Sequence, residues 1–217
     1  MTRVGTVPIR VMVAGVTMLA VMLAGCADLL PGVGGAASSP VAATPSDAGP
    51  APSPTPTDLV AARKAAGIAD CPATGKAAAV PGGLPDLTLD CLGGDTTVHL
   101  AALRGPMLVN LWAQWCPPCR AEAAHLAAFA STQQEVAVLG IDYADPDPEL
   151  AIEFAQLTAM TYPHLVDPDT ALKAPLGVAG IPYTLLIDAD GKIVARHPGQ
   201  FTSLEDVQEW VAQGLGG

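Results

Sequence analysis

The sequence predicts an α/β domain, and three observations carry that expectation. Met107 to Leu111 is a short apolar run that passes through two tryptophans into Cys116-Pro117-Pro118-Cys119 and then into the helix formers Arg120 to Ala124, which reads as strand, turn and helix. A second apolar run rich in β-branched residues, Val136 to Ile141, reads as a buried parallel strand, so the first crossover is βαβ. Hairpin patterns flank that unit on both sides. On the N-terminal side Leu87 to Cys91, Gly93-Gly94-Asp95 and Thr96 to Leu100 make one; on the C-terminal side Tyr183 to Ile187, Asp188 to Gly191 and Lys192 to Arg196 make the other.

The elements then follow in order. Residues 1–26 have the form of an export signal, with Arg3 and Arg10 ahead of the apolar stretch Val11 to Ala24, too short for a bilayer span of about 20 residues. The stretch ends in Leu23-Ala24-Gly25-Cys26, which resembles the lipobox of bacterial lipoproteins and implies cleavage before Cys26 and lipid attachment to it. Two or more acyl chains anchor a protein stably. The competing reading is an uncleaved anchor helix; both place the domain outside the cytoplasm on a membrane. Residues 27–58, rich in Ala, Pro, Ser, Thr and Gly and without an aromatic, cannot bury enough surface to fold and read as a disordered tether. Leu59 to Ala66 is a short helix stopped by Gly67, within an N-terminal extension spanning 59–80 ahead of the folded domain, 81–217.

Past the βαβ unit, whose helix runs to about Ala130, Asp147-Pro148-Glu149 opens a helix with Asp as cap and Pro at its first position. Leu150, Phe154 and Leu157 lie on it at helical spacing and are expected to pack on the sheet. Thr202 with Glu205 forms a capping-box signature for a last helix carrying Leu204, Val207 and Trp210. The net charge of −11 excludes nucleic acid as a partner, because phosphate binding needs a basic face.

The chemistry rests on the paired cysteines. Only a thiolate attacks a disulfide, and the first turn of a helix offers unpaired N–H groups and partial positive charge that stabilise one. Cys116 is therefore the expected nucleophile and Cys119, one turn on, the resolving thiol that breaks the mixed disulfide and closes the Cys116–Cys119 bond. The two prolines between them remove N–H donors and weaken that stabilisation, whereas Arg120 works the other way. Half of a structural zinc site is the alternative, but a closed site needs four ligands and no second close Cys or Cys/His pair exists. His125, six residues past Cys119, reads as a surface or core-edge histidine.

Trp-Ala-Gln-Trp-Cys-Pro-Pro-Cys-Arg-Ala-Glu after the strand Leu108 to Leu111, followed some sixty residues later by Gly180-Ile181-Pro182-Tyr183-Thr184, resembles the thioredoxin-like proteins of the TlpA/ResA type over about Pro81 to Gly214. That resemblance implies a thioredoxin-like fold: a central mixed sheet flanked by helices, with an extra N-terminal β-hairpin and a helical insert. It also implies that Pro182 is the cis-proline facing the active-site disulfide, with Trp115, Ile181 and Pro182 receiving the client. Asn110 stands where thioredoxin has a buried Asp, and Glu122, three residues after the second cysteine, stands where the TlpA/ResA group places an acid, here a possible acceptor for the Cys119 proton. His164, in a stretch that also resembles the group, reads as structural or exposed.

With Cys26 assigned to lipid and Cys116/Cys119 to exchange, Cys71 and Cys91 remain to pair as a structural disulfide in an oxidising compartment, worth about 3 kcal/mol by loop closure. A second exchange-active pair is the alternative, lacking a helix start or close spacing. The reading is a membrane-tethered thiol-disulfide oxidoreductase on the outer face of the cell membrane, without cofactor or metal. Its partners are protein disulfide or dithiol clients and a membrane electron donor or acceptor; the resemblance leans towards a reductant, for example of apocytochrome c cysteines. A copper carrier using Cys116 and Cys119 is the alternative, and it wants a third ligand and wider spacing. Peroxide reduction is disfavoured, since Ala113, Gln114 and Trp115 precede Cys116 and no threonine lies three residues ahead of it.

Overall fold

The structure is a computed structural model in which residues 55–75, 77–94 and 96–216 are described. The signal segment with Cys26, and the tether up to residue 54, lie outside them. Among the described residues no helix is long and apolar enough to cross a membrane.

The chain opens with helix α1, Pro56–Ala65. Thr55 caps it: its hydroxyl accepts the Asp58 N–H at 3.3 Å while the Asp58 carboxylate accepts the Thr55 N–H at 3.0 Å. The expected tether therefore ends earlier than 58 and the helix begins earlier than Leu59, because a reciprocal cap and a proline at the first position sit inside what composition alone marks as Pro-rich linker.

Then come β1 (Thr88–Cys91) and β2 (Thr97–His99), the antiparallel N-terminal hairpin. They are followed by β3 (Met107–Trp112), α2 (Pro117–Thr132), β4 (Ala137–Tyr143), α3 (Pro148–Leu157), β5 (His164–Asp167), α4 (Lys173–Leu176), β6 (Tyr183–Ile187), β7 (Ile193–Pro198) and α5 (Leu204–Leu215). The seven strands form one mixed sheet in the order β2-β1-β5-β4-β3-β6-β7. β3 is parallel to β4, as a βαβ crossover requires, and antiparallel to β6. All six β3 residues are buried, since helices and loops cover both faces of the sheet.

One face carries Leu108, Trp112 and Val138 against Leu126 and Phe129 of α2, Phe154 of α3 and Val207 of α5. The opposite face carries Val109, Leu111, Leu139 and Ile141 against Leu172, Leu176 and Val178 around α4. Helix α3 presents a different side from the one expected. Leu150 is 43% and Leu157 84% exposed, whereas Ala151, Ile152 and Ala155 are buried with Phe154. The large residues suggested one stripe, but small alanines let the helix approach closely, and that close approach decides which side faces inward. The cap of α5 is shifted by one residue: Ser203 accepts the Asp206 N–H at 3.1 Å, and Asp206 in turn accepts the Thr202 N–H.

Candidate active site

β3 is a fully buried interior strand between β4 and β6 and points its C-terminal end at the turn Ala113 to Cys116, after which α2 begins. Cys116 is the N-cap of α2. Pro117 and Pro118 fill the first two helical positions and have no N–H, so the first amide free to meet the cap is that of Cys119, whose N–H points at Cys116 Sγ across 3.3 Å. Cys116 and Cys119 are joined by a disulfide, with Cα atoms 5.3 Å apart.

The turn before the cysteines is braced from three sides. The Trp115 indole donates to the Ala144 carbonyl at 3.2 Å, the Gln114 N–H donates to the Asp145 carboxylate at 3.3 Å, and Arg120 Nη1 donates to the Gln114 carbonyl at 3.0 Å. The Arg120 guanidinium also lies 4.7 Å above the Phe154 ring. Its charge thus holds the turn in place and stacks on an aromatic face. Both cysteines are 2% exposed, while Trp115 beside them is 50% exposed. Across from them the Ile181–Pro182 peptide is cis, and the Ile181 carbonyl oxygen lies 3.7 Å from Cys116 Sγ.

Glu122 lies one turn beyond Cys119 on α2 and is fully buried. Its Oε1 accepts the Asn110 amide at 2.9 Å and its Oε2 accepts the Phe201 backbone N–H at 3.0 Å. Burial pushes its carboxyl up to about 7, more strongly than those two donors hold it down. Asn110 also donates to Thr184 Oγ1 at 3.0 Å. This contact exists because β3 and β6 pair Asn110 directly with Thr184. Thr184 belongs to the Ile-Pro-x-Thr stretch that carries the resemblance, but sequence spacing gives no access to that register and so none to its contact with Asn110.

A second buried carboxyl was also missed. Asp142, paired with Trp112 across β3 and β4, is 1% exposed. Burial, together with the negative charges of Asp145 and Asp147, pushes its carboxyl up to about 9. His164 is structural and completely buried. The Trp112 indole donates to its Nδ1 at 3.2 Å, which leaves Nε2 carrying the proton and donating to the Met160 carbonyl at 3.1 Å. Burial lowers its pKa to about 4, so the ring is neutral at physiological pH. His125 is half-buried on α2. Among the described residues no group of three or more His, Cys, Asp or Glu is placed to hold a metal ion.

Away from this cluster, Cys71 and Cys91 are bonded to each other, which ties the segment after α1 to β1. A cavity of about 400 Å³ opens at the start of β3 and β4, lined by Met107, Ala137 and Tyr162 among others, at the opposite end of the sheet from Cys116.

The family model for Redoxin matches residues 80–211, which contain the whole of this cluster. The chain belongs to the Redoxin family. Its relatives within reach of sequence include the thiol:disulfide interchange protein DsbE of Yersinia pestis, 42% identical over 108 residues, covering 48% of this chain and 55% of that protein. Another is the thiol:disulfide interchange protein HelX of Rhodobacter capsulatus, 35% identical over 126 residues, covering 57% of this chain and 69% of that protein. The chain spans about half the length of the first of these relatives. Among solved structures, a secreted disulfide oxidoreductase of Mycobacterium tuberculosis homologous to E. coli DsbE aligns at a TM-score of 0.53 and 26% identity, covering 59% of this chain and 96% of that one. A secreted thiol-disulfide isomerase of Corynebacterium glutamicum aligns at 0.54 and 27%, covering 62% and 86%. The sheet and helices of this Redoxin chain are thus thioredoxin-like, with the β1–β2 hairpin and the α3 insert added.

Proposed function

We propose that this chain is a thiol-disulfide oxidoreductase that exchanges disulfides with protein clients through Cys116 and Cys119. The observation that carries the reading is the Cys116 sulfur at the N-cap of α2, bonded to Cys119 and receiving the one amide that two prolines leave available. In the reducing direction, the Cys116 thiolate attacks a client sulfur, the client disulfide breaks, and its second sulfur leaves as a thiolate. Cys119 then gives its proton to Glu122 and attacks Cys116 Sγ, which closes the intramolecular bond and expels the client's remaining thiolate. One client disulfide becomes two thiols as one dithiol becomes a disulfide. Glu122 suits the proton step, since a carboxyl near 7 both accepts and returns a proton at neutral pH.

The client lies against Trp115, Ile181 and Pro182. The exposure of Trp115 and the nearness of the Ile181 carbonyl to the sulfur support that placement. Cys71–Cys91 clips the N-terminal extension to the hairpin. The export-like segment 1–26 and the secreted neighbours support an extracytoplasmic domain held to the outer face of the membrane by lipid on Cys26. The names of the DsbE and HelX relatives support exchange with protein partners; the clients we assign are extracytoplasmic thiols such as those of apocytochrome c, with a membrane electron donor recharging the pair.

The experiment replaces Cys119 by Ala and searches for stable mixed disulfides on Cys116 in cells that export the protein. Clients trapped on Cys116 support the reading, and their absence overturns it. Stoichiometric copper binding by the reduced wild type without insulin reduction would point to a carrier instead. A reduction potential well above about −270 mV would make the protein an oxidant.

A further inference from the structure

The Cys71–Cys91 bond lies in unusual company. Arg63 of α1 is completely buried, and its Nη1 lies 2.7 Å from Cys91 Sγ, itself completely buried. Its other terminal nitrogen pairs with Asp70 at 2.8 Å. On the far side of the bond, Cys71 Sγ lies 3.2 Å from the His164 carbonyl oxygen. A disulfide sulfur is a weak acceptor and has no proton to donate, so neither sulfur makes a strong hydrogen bond of its own while the bond is intact, although the His164 carbonyl also accepts the Leu92 N–H at 2.8 Å. After reduction the first contact becomes strong and the second gains a weak donor. A guanidinium next to a thiolate is a charge-assisted pair, and a thiol next to a carbonyl oxygen is a donor with its acceptor already in place.

We propose that Cys71 and Cys91 form a second redox couple, reducible in the folded domain by a dithiol, in which Arg63 holds Cys91 as the thiolate and the His164 carbonyl receives the Cys71 thiol. The reductant's thiolate attacks Cys71 Sγ, Cys71 being the less buried of the two residues at 9% exposure, and the Cys71–Cys91 bond breaks with its electron pair on Cys91. The more acidic thiol is the better leaving group, so Arg63 also sets which sulfur leaves. The second thiol of the reductant then attacks its partner sulfur in the mixed disulfide and its proton ends on Cys71. The dithiol is oxidised to a disulfide, and the pair gains two electrons and one proton. Opening this bond frees the segment after α1 from β1, a change at the far edge of the sheet from Cys116. The inference goes beyond the exchange activity of Cys116 and stands or falls separately from it.

The test uses the full chain with Cys116 and Cys119 both replaced by Ala, so that the outcome does not depend on the first pair. The protein is equilibrated in graded mixtures of reduced and oxidised dithiothreitol without denaturant, and Cys71 and Cys91 are read apart from Cys26 by differential alkylation and peptide mass spectrometry. The pair is expected to reduce reversibly in the folded state, and Arg63→Met to lower its equilibrium constant for reduction tenfold or more, equivalent to about 30 mV. A pair that resists reduction until the protein unfolds, or a constant unchanged by Arg63→Met, overturns the proposal. Should Arg63→Met not fold, the Cys26→Ala, Cys71→Ala, Cys116→Ala, Cys119→Ala protein keeps Arg63, and thiolate absorbance at 240 nm reports Cys91, its one remaining thiol. Ionisation clearly below the ordinary cysteine value of about 8.5 supports the role of Arg63, and ionisation at or above it overturns it.

Discussion

The Asn110 side-chain amide donates to Glu122 Oε1 across 2.9 Å, joining the buried strand β3 to the helix that carries both cysteines. A neutral amide there accomplishes something an acid would not: it favours the Glu122 carboxylate without adding a second charge to a buried site. Burial pulls the other way and wins, and the balance leaves Glu122 titrating near neutrality.

Replacing Glu122 by Gln keeps the shape and removes the proposed proton acceptor. The resolving step at pH 7 is expected to slow by on the order of 10²-fold, and the inflection near pH 7 in the rate profile to vanish. Stopped-flow exchange with a model disulfide across pH 5 to 9 reads both. An inflection that survives in Glu122→Gln assigns it to another group and removes Glu122 from the proton step.

The same carboxyl leaves a mark on stability. Its folded pKa of about 7 exceeds the ordinary 4.5, so the folded state binds the proton more tightly than the unfolded one. Stability from this group is therefore greatest below about pH 4.5 and is lost as pH rises through 7, by on the order of 3 kcal/mol. Asp142 acts in the same direction up to about pH 9, while His164, with its pKa lowered to about 4, loses stability as pH falls below 6.5. In the oxidised protein, whose cysteines do not titrate, Glu122→Gln and Asp142→Asn should each be more stable than wild type at pH 8 and lose that advantage towards pH 4. Urea unfolding at the two pH values decides this. An advantage that does not change with pH would show that neither carboxyl is shifted upward.

How far the sequence carries the fold and site follows from the range of each interaction. Cys116 at a helix start, the parallel β3–α2–β4 unit and both hairpins are local patterns, and periodicity and turn residues expose them. Glu122 could be singled out through the resemblance to the TlpA/ResA group, which places an acid three residues after the second cysteine. Thr184, Asp142 and the Trp112–His164 bond are set by strand register and by which helix covers which face, neither of which leaves a trace in spacing. The expected face of α3 differs for a related reason: its small buried alanines carry little hydrophobic signal, and both its leucines, Leu150 and Leu157, point outward.

Gly140 shows how tightly that hidden network is built. A Cβ added there would lie 2.0 Å from His164 Nδ1 and 2.9 Å from Trp112 Nε1, closer than any atoms tolerate. Gly140→Ala must push the two rings apart and break the hydrogen bond that fixes the His164 tautomer, leaving a buried indole N–H without its acceptor. The expected loss is roughly 1–3 kcal/mol, measured by urea unfolding, with a change in near-ultraviolet circular dichroism from Trp112. A variant as stable as wild type would mean that the Trp112–His164 contact is loose.

The orientation of α3 can be tested with a pair of substitutions on one helix. Phe154 is buried, with its ring 5.7 Å from that of Trp112 and the Arg120 guanidinium on its other contact, so truncation removes core packing and loosens the turn that Arg120 braces. Phe154→Ala should cost about 3–5 kcal/mol and slow exchange at Cys116 as well. Leu157, three residues on and 84% exposed, has almost nothing to lose, and Leu157→Lys should change stability by no more than about 0.5 kcal/mol. Comparable losses from both would place Leu157 against the protein and turn the helix by roughly the angle between the two stripes. A loss from Phe154→Ala with unaltered exchange kinetics would separate the packing role of that ring from any part in positioning Arg120.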